Sequence, residues 1–262
     1  MRRIFISHGH IDHYGYARAA QEASGAPVYA HPRDHDKLTG RERTADRLEK
    51  YAAYLHRLGG SADLLEHVRV HWQDTGRMAR PVEEVLPLEA GAVLRFARFS
   101  AEVLHLPGHT PGLVGLWAAR ERVFFSDDHL LEVVSPNPLL DLEGNLEPVH
   151  KALVEYIRSA KAVRELPIQL VAPGHNAPFS GHVALIDRLL GFYARRQDRI
   201  VALLQKRGGQ TPAQLSAQVF PLAKKSQQFL TLSEVMGNLE VLEEAGRVVR
   251  STREGRMWFD PT

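Results

Sequence analysis

The chemistry of this chain is concentrated near its start, where His8-x-His10-x-Asp12-His13 places three imidazoles and a carboxylate within six residues. If buried, each would need a polar partner, so packing alone does not account for the cluster. On an extended segment, alternation points His8 and His10 to the same side, while Asp12 and His13 lie past the bend. The first pair can grip one ion and the second pair can face another. Imidazole and carboxylate suit zinc, iron(II) or manganese, and ligand type does not separate these metals. The chain has no cysteine, which excludes a disulfide framework, a thiolate zinc knot and a cysteine nucleophile.

Three distant residues complete the pattern. His109 and His175 each follow Pro-Gly at the end of a β-rich run, and such a turn swings an imidazole back toward the sheet rim. Asp128 closes the apolar run Val123-Phe124-Phe125, where one carboxylate can bridge two cations. The expected arrangement is two divalent metal ions, zinc first, with iron or manganese as alternatives. His8, His10 and His109 would hold one, Asp12, His13 and His175 the other, and Asp128 both. Two such cations lower the pKa of a bridging water and yield a hydroxide that attacks an ester-like carbonyl or a phosphorus centre. Asp12, as ligand and hydrogen-bond acceptor, could also orient that hydroxide or carry its proton. Asp127 and His129 flank Asp128 and are expected to support the ligands from behind. No Ser-His-Asp set or Gly-rich phosphate loop competes for the role. The other histidines, His31, His35, His56, His67, His71, His105, His150 and His182, are expected at the surface or in caps.

The positioning elements follow from periodicity. Arg3 to Ile6 reads as a strand, Tyr14 to Ser24 as a helix stopped by Gly25, and Pro27 to Ala30 as a strand, the opening of a layered α/β protein. Leu48, Tyr51, Ala52, Leu55 and Leu58 recur at helical spacing before Gly59-Gly60, and Ser61 caps a second helix through Trp72. This pair, residues 46–72, is a candidate lid. Short strands return from Val85, and three of them end at His109, Asp128 and His175, so strand ends converge on one rim. Beyond Gly181, three helices closed by a hairpin around Arg253-Glu254-Gly255-Arg256 make a winged helix. The expected domains are 1–194, catalytic, and 195–262, winged helix.

At 262 residues and 44% hydrophobic content the chain can bury a large core, and a 24% charged fraction with net charge +2 argues for neither a nucleic-acid nor a membrane partner. The apolar run at the start is too short for a signal peptide and no stretch has membrane-spanning length, so a cytoplasmic setting is expected.

The series His8-Gly9-His10-Ile11-Asp12-His13, Pro107-Gly108-His109-Thr110, Phe125-Ser126-Asp127-Asp128 and Pro173-Gly174-His175 resembles the metallo-β-lactamase superfamily over about residues 4 to 180. The resemblance implies a four-layer αββα sandwich with metals at one edge. Asp128 falls where hydroxyacylglutathione hydrolases, lactonases and RNA-processing members carry the bridging Asp, which disfavours antibiotic hydrolysis. The tail, with Arg195-Arg196-x-x-Arg199-Ile200 and Leu239-Glu240-x-Leu242-Glu243, looks like the winged helix of β-lactamase-like hydrolases. Two departures stand out. Only seven residues precede His8, where relatives carry further strands, so the sandwich is expected to be N-terminally shortened, or its edge to be completed by a partner such as a second copy. Asp127 stands where relatives usually have Gly. The resemblance implies a hydrolase of a small-molecule ester, thioester or lactone-like bond. The alternatives are a single-strand endoribonuclease using Lys224, Lys225, Arg247, Arg250, Arg253 and Arg256, an inactive regulatory protein, and a metal-dependent oxidoreductase. Tyr14, Asn137 and Asn176 are expected near substrate.

Overall fold

The computed structural model describes residues 2–41, 44–76, 78–134, 136, 139–142 and 150–262, with the side chains of 44–46 and 71–76 left aside. Asn137 and the Trp72 side chain lie outside the described residues. The chain divides into two compact units, residues 1–43, 74–136 and 155–187, and residues 44–73, 137–154 and 188–262.

The first unit opens with β1 (Ile4–Phe5), α1 (Ile11–Tyr14), α2 (Ala17–Ser24) and β2 (Val28–Ala30). The single helix expected from Tyr14 to Ser24 is two, parted at Gly15 and Tyr16, with Gly25 in the left-handed conformation at the second C-terminus. After β2 come α3 (His35–Thr39) and, beyond the excursion of the chain into the second unit, β3 (Val85–Pro87). β1, β2 and β3 form a parallel sheet in that order, with Ile4 opposite Val28 and Tyr29 opposite Leu86. Parallel pairing of β1 and β2 requires a crossover, which α1 and α2 supply.

A second sheet has the order β4 (Val93–Arg95), β5 (Ser100–His105), β6 (Val114–Ala118), β7 (Val123–Asp127), β8 (Leu170–Pro173). Its first three pairings are antiparallel and β7–β8 is parallel, the crossover carrying α6 (Ala152–Arg164). β5 alternates exposed and buried residues through Val103, as a strand with one face on the core must. The pairing of β7 with β8 slips between Phe125 and Asp127, and such a bulge re-aims the side chains beyond it.

The second unit contains α4 (Thr44–Arg57), most of α5 (Ala62–Gly76) and α7 (His182–Arg207), α8 (Pro212–Val219), α9 (Gln228–Glu244) and the antiparallel hairpin β9 (Val248–Arg253) and β10 (Arg256–Pro261). Tyr51, Tyr54, Leu55, Leu58, Leu64 and Val68 are buried in one cluster with Ile200, Leu204, Leu239, Met257 and Phe259. The division therefore differs from a single boundary at 194/195. The stripe on α4 that marked residues 46–58 as half of a lid is the face by which α4 packs into the core of this unit. Among the described residues no helix is long and apolar enough to cross a membrane.

Candidate metal centre

Each predicted ligand sits at the end of an element of the first unit. β1 delivers His8, α1 begins at its N-cap His10 and carries Asp12 and His13, the loop after β5 carries His109, the bulged end of β7 delivers Asp128, and β8 runs out into His175. The two Pro-Gly pairs have a steric reason. A Cβ on Gly108 would lie 2.5 Å from the Tyr156 Cβ, and one on Gly174 would lie 2.9 Å from Asp128 Oδ1. Glycine thus lets the loops carrying His109 and His175 close onto their neighbours.

The seven residues converge. One nitrogen each from His8, His10 and His109 fall within 4.8 Å of one another, and so do one ligand atom each from Asp12, His13 and His175. In the first group His8 Nε2 lies 3.0 Å from His10 Nδ1, and Asp128 Oδ2 lies 3.3 Å from His109 Nε2 and 4.0 Å from His8 Nε2. In the second, His13 Nε2 is 3.2 Å from His175 Nε2, and Asp12 Oδ2 is 3.6 and 3.4 Å from those two atoms. Asp128 reaches this group too, with Oδ2 3.5 Å from His13 Nε2 and Oδ1 3.7 Å from His175 Nε2. Donors held about 2.0 to 2.1 Å from one cation at tetrahedral angles are about 3.3 Å apart. Most of the separations lie near that edge length, so the donor set fits divalent cations. Both ring nitrogens of His109 and Oδ1 of Asp128 are buried without a hydrogen-bond partner, which also fits an ion as the missing partner.

The first group is the deeper. The His8 side chain is fully buried, whereas Asp12 and His175 are 57% and 47% exposed, so the second group opens to solvent. Burial lowers the pKa of His8 and, with the neighbouring His109, holds that of His10 well below the usual imidazole value. Both therefore present lone pairs at neutral pH. Burial works against charge on His13 as well, but hydrogen bonds to Asp127 and Asp128 outweigh it and push its pKa up to about 10. Burial alone would raise the two carboxyls. Their histidine partners, His13 and His8 for Asp127, and His109 and His13 for Asp128, overcome it and keep both well below the usual carboxylate range.

Asp127 adopts φ +48°, a conformation that favours glycine. Its Oδ1 lies 3.2 Å from the Nδ1 atoms of both His8 and His13, and one ligand atom each from His8, His13, Asp127 and Asp128 fall within 4.8 Å of one another, a third group able to hold an ion. A carboxylate there keeps the ring protons on Nδ1 and leaves Nε2 available as a donor. His129 does not match this role. It is fully buried, its ring packs 5.2 Å from that of Tyr156, and neither ring nitrogen makes a hydrogen bond. Burial, then the neighbouring His109, lowers its pKa to about 3. Of the substrate-side expectations, Asn176 is exposed at φ +69° next to His175, and Tyr14 is half-buried beside His13. The histidines expected at the surface are mixed. His31 caps a short 3-10 helix through Nδ1, but it is buried and stacks on His105 at 3.9 Å, and His150 and His182 are buried.

One residue against this centre carried no sequence signal. Asp34 is buried under the loops that bear His8, His10 and His109 and accepts hydrogen bonds from both. A single Asp after a strand reads as a helix cap, and only the fold reveals what it faces.

The chain is similar to several known proteins. It is 31% identical over 160 residues to the probable metallo-hydrolase YqjP of Bacillus subtilis, covering 61% of this chain and 50% of that one. It is 24% identical over 132 residues to the hydroxyacylglutathione hydrolase GloC of Haemophilus influenzae, covering 50% and 51%. The chain thus spans about half the length of these curated relatives. Among solved structures, a metallo-β-lactamase family protein of Thermus thermophilus is 26% identical with a TM-score of 0.81, covering 100% of this chain and 80% of that one. A β-lactamase domain protein of Burkholderia ambifaria shares the fold at 21% identity and a TM-score of 0.83, covering 100% and 75%. The family model for the metallo-β-lactamase superfamily matches residues 2–175, every predicted ligand included, and the chain belongs to that superfamily.

Proposed function

We propose that the chain is a metal-dependent hydrolase that binds two divalent cations, zinc first, and cleaves a small-molecule ester, thioester or lactone-like bond. The observation that carries this reading is the position of Asp128, whose carboxylate lies within 4.0 Å of ligand nitrogens in both groups. Two cations bound there would bring the pKa of a shared water toward neutrality and polarise the scissile carbonyl. The chain's own residues do the rest. His8, His10 and His109 hold the deep position, while Asp12, His13 and His175 hold the one that faces solvent and substrate. Asp12, the most exposed of the set, is placed to accept a proton from water and pass it to the leaving group. Asp127 fixes the rings of His8 and His13.

Two further observations support a small substrate. A recess of about 330 Å³ with apolar walls, including Phe5, Ile6, Leu88 and Phe125, reaches His13 and Asp127, a volume suited to an acyl group. The similarity to a hydroxyacylglutathione hydrolase points to the same bond class. The endoribonuclease reading draws less support, because most of the cations it would use already face carboxylates. Arg247 pairs with Asp198 at 2.9 Å, Arg250 with Glu243 at 3.1 Å and Lys225 with Asp63 at 3.2 Å, and Arg253 pairs with Asp260. On this reading the C-terminal helices and hairpin form a winged-helix module that serves packing.

Elemental analysis of the purified chain, followed by an ester, thioester, lactone and single-stranded RNA panel, tests the proposal. Metal near two equivalents with turnover of an acyl substrate is the expected result. Full metal content with RNA cleavage alone would move the assignment to a nuclease, and no metal uptake would end it.

A further inference from the structure

We infer that Asp34 is a positioning residue for the deep ligand group, a buried carboxylate that ties together the two loops bearing His8, His10 and His109. This rests on the metal-binding reading above and assigns a role to a residue outside the ligand set.

The geometry is specific. Oδ2 of Asp34 accepts the backbone N–H of Gly9, the residue between His8 and His10, at 2.9 Å. The same oxygen accepts the hydroxyl of Thr110, the residue after His109, at 2.8 Å. Oδ1 takes the Lys37 ammonium at 3.0 Å. Asp34 and Thr110 are both fully buried. The ligand-bearing turn also sits directly on the carboxylate, since a Cβ on Gly112 would come within 2.7 Å of Asp34 Cγ.

The obvious local use of this residue is not made. Asp34 occupies the N-cap of α3, where an aspartate ordinarily accepts from its own helix, yet its side chain makes no capping hydrogen bond. Its Oδ2 is directed instead at segments 25 and 76 residues away in sequence, while Oδ1 takes Lys37 from its own helix. A buried carboxylate is costly unless its hydrogen bonds and charge are met, and Lys37, Thr110 and Gly9 meet them. Burial would raise its pKa, and those three partners hold it well below the usual carboxylate range. Because one oxygen serves both loops, each is held against the same buried atom. The spacing of His8 Nε2, His10 Nδ1 and His109 Nε2 is therefore set jointly.

The test uses the full chain with Asp34→Ala, Asp34→Asn, Thr110→Val and Thr110→Ser. Zinc binding is read by competition with a chromophoric chelator, and the metal-free fold by circular dichroism and thermal melting. Asp34→Ala and Thr110→Val are expected to weaken the tighter zinc by about 10- to 100-fold while leaving the weaker one within about threefold, as loss of a supporting partner does. Thr110→Ser, which keeps the hydroxyl, should restore wild-type affinity, and Asp34→Asn should fall between. If Asp34→Ala does not fold, the Thr110 pair decides. Equal zinc affinity in Thr110→Val and Thr110→Ser overturns the role of Asp34, as does a folded Asp34→Ala that binds both zincs like wild type. A wild-type chain that takes up no zinc would instead sink the metal reading itself.

Discussion

The two compact units are held in different ways. In the second, helix caps and apolar stripes agree with the packing they serve. Thr211 and Gln214 cap α8 reciprocally with Pro212 in the first helical position, the stripe on α4 faces one large apolar cluster, and surface cations sit beside carboxylates. In the first, the site breaks the local rules. A non-glycine residue, Asp127, is held at φ +48°, the tilted rings of His8 and His13 lie with centroids 4.1 Å apart, and both ring nitrogens of His109 are buried without a hydrogen bond. Such features cost about 1 to 3 kcal/mol each and persist only where surrounding structure imposes them. The contrast sets a unit organised around one large apolar cluster beside a unit whose polar cluster is proposed to carry the chemistry.

That contrast is most sharply tested by paired substitutions. His10→Ala removes a ligand from the deep group and should lower hydrolysis on the order of a thousandfold, about 4 kcal/mol in the barrier, with a near-normal metal-free melt. Leu239→Ala, in the fully buried cluster of the second unit, should instead destabilise the fold by about 2 to 5 kcal/mol, read by denaturant titration, and leave the metal content of the folded fraction unchanged. If His10→Ala kept its activity, the chemistry would lie elsewhere in the chain.

Asp127→Gly removes a strained backbone and a hydrogen-bonding carboxylate at once. Glycine adopts φ +48° without strain, a gain of up to about 1 kcal/mol. The metal-free protein, however, loses the partner that holds His13 charged, so its net stability should fall near neutral pH and change least above pH 10. Losing the carboxylate behind His8 and His13 should weaken metal binding by about 10- to 100-fold. A variant that lost stability and kept its affinity would show that Asp127 serves the fold rather than the ligands.

The elevated pKa of His13 gives a signed pH dependence. A folded value of about 10 against 6.5 in the unfolded chain contributes stability to the metal-free protein. That stability is fully present below pH 6.5 and is lost as pH rises through 10. A cation requires the neutral ring, so uptake at pH 7.5 should release about one proton, and affinity should climb with pH until His13 has titrated. His8 and His10, already neutral through burial, add none. Calorimetry in two buffers of different ionisation heat measures the number, and a value of zero would mean that His13 is not a ligand.

How much of this was legible in the sequence follows from which signals are local. The candidate ligands were, because His8-x-His10-x-Asp12-His13 and the two Pro-Gly-His motifs each declare themselves within a few residues. The strand ends that carry them were legible too, since apolar runs stop where the ligands begin. The membership of α4 and α5 in the second unit was not. Their apolar stripes show that they pack, and only the fold shows that their partners are Ile200, Leu204 and Leu239, more than a hundred residues on. Asp34 was hidden for the same reason, its partners Gly9 and Thr110 being set by topology. The unpartnered ring nitrogens of His129 depend on a burial that no neighbour in sequence predicts.

The smallest expected effect concerns the hairpin. Arg253 pairs with Asp260 and lies over the Trp258 ring at 5.0 Å, and with 48% of its side chain exposed neither contact is worth much. Exposed ion pairs contribute about 0 to 1 kcal/mol, so Arg253→Ala should change stability by less than about 1 kcal/mol and hydrolysis not at all. The informative measurement is binding of a labelled single-stranded RNA across a salt series. If the hairpin serves packing, wild type and variant should bind equally weakly. A variant that bound less tightly, with a salt slope smaller by about one, would show that Arg253 leaves Asp260 for a phosphate. The second unit would then carry chemistry of its own, and the separation drawn between the two units would fail.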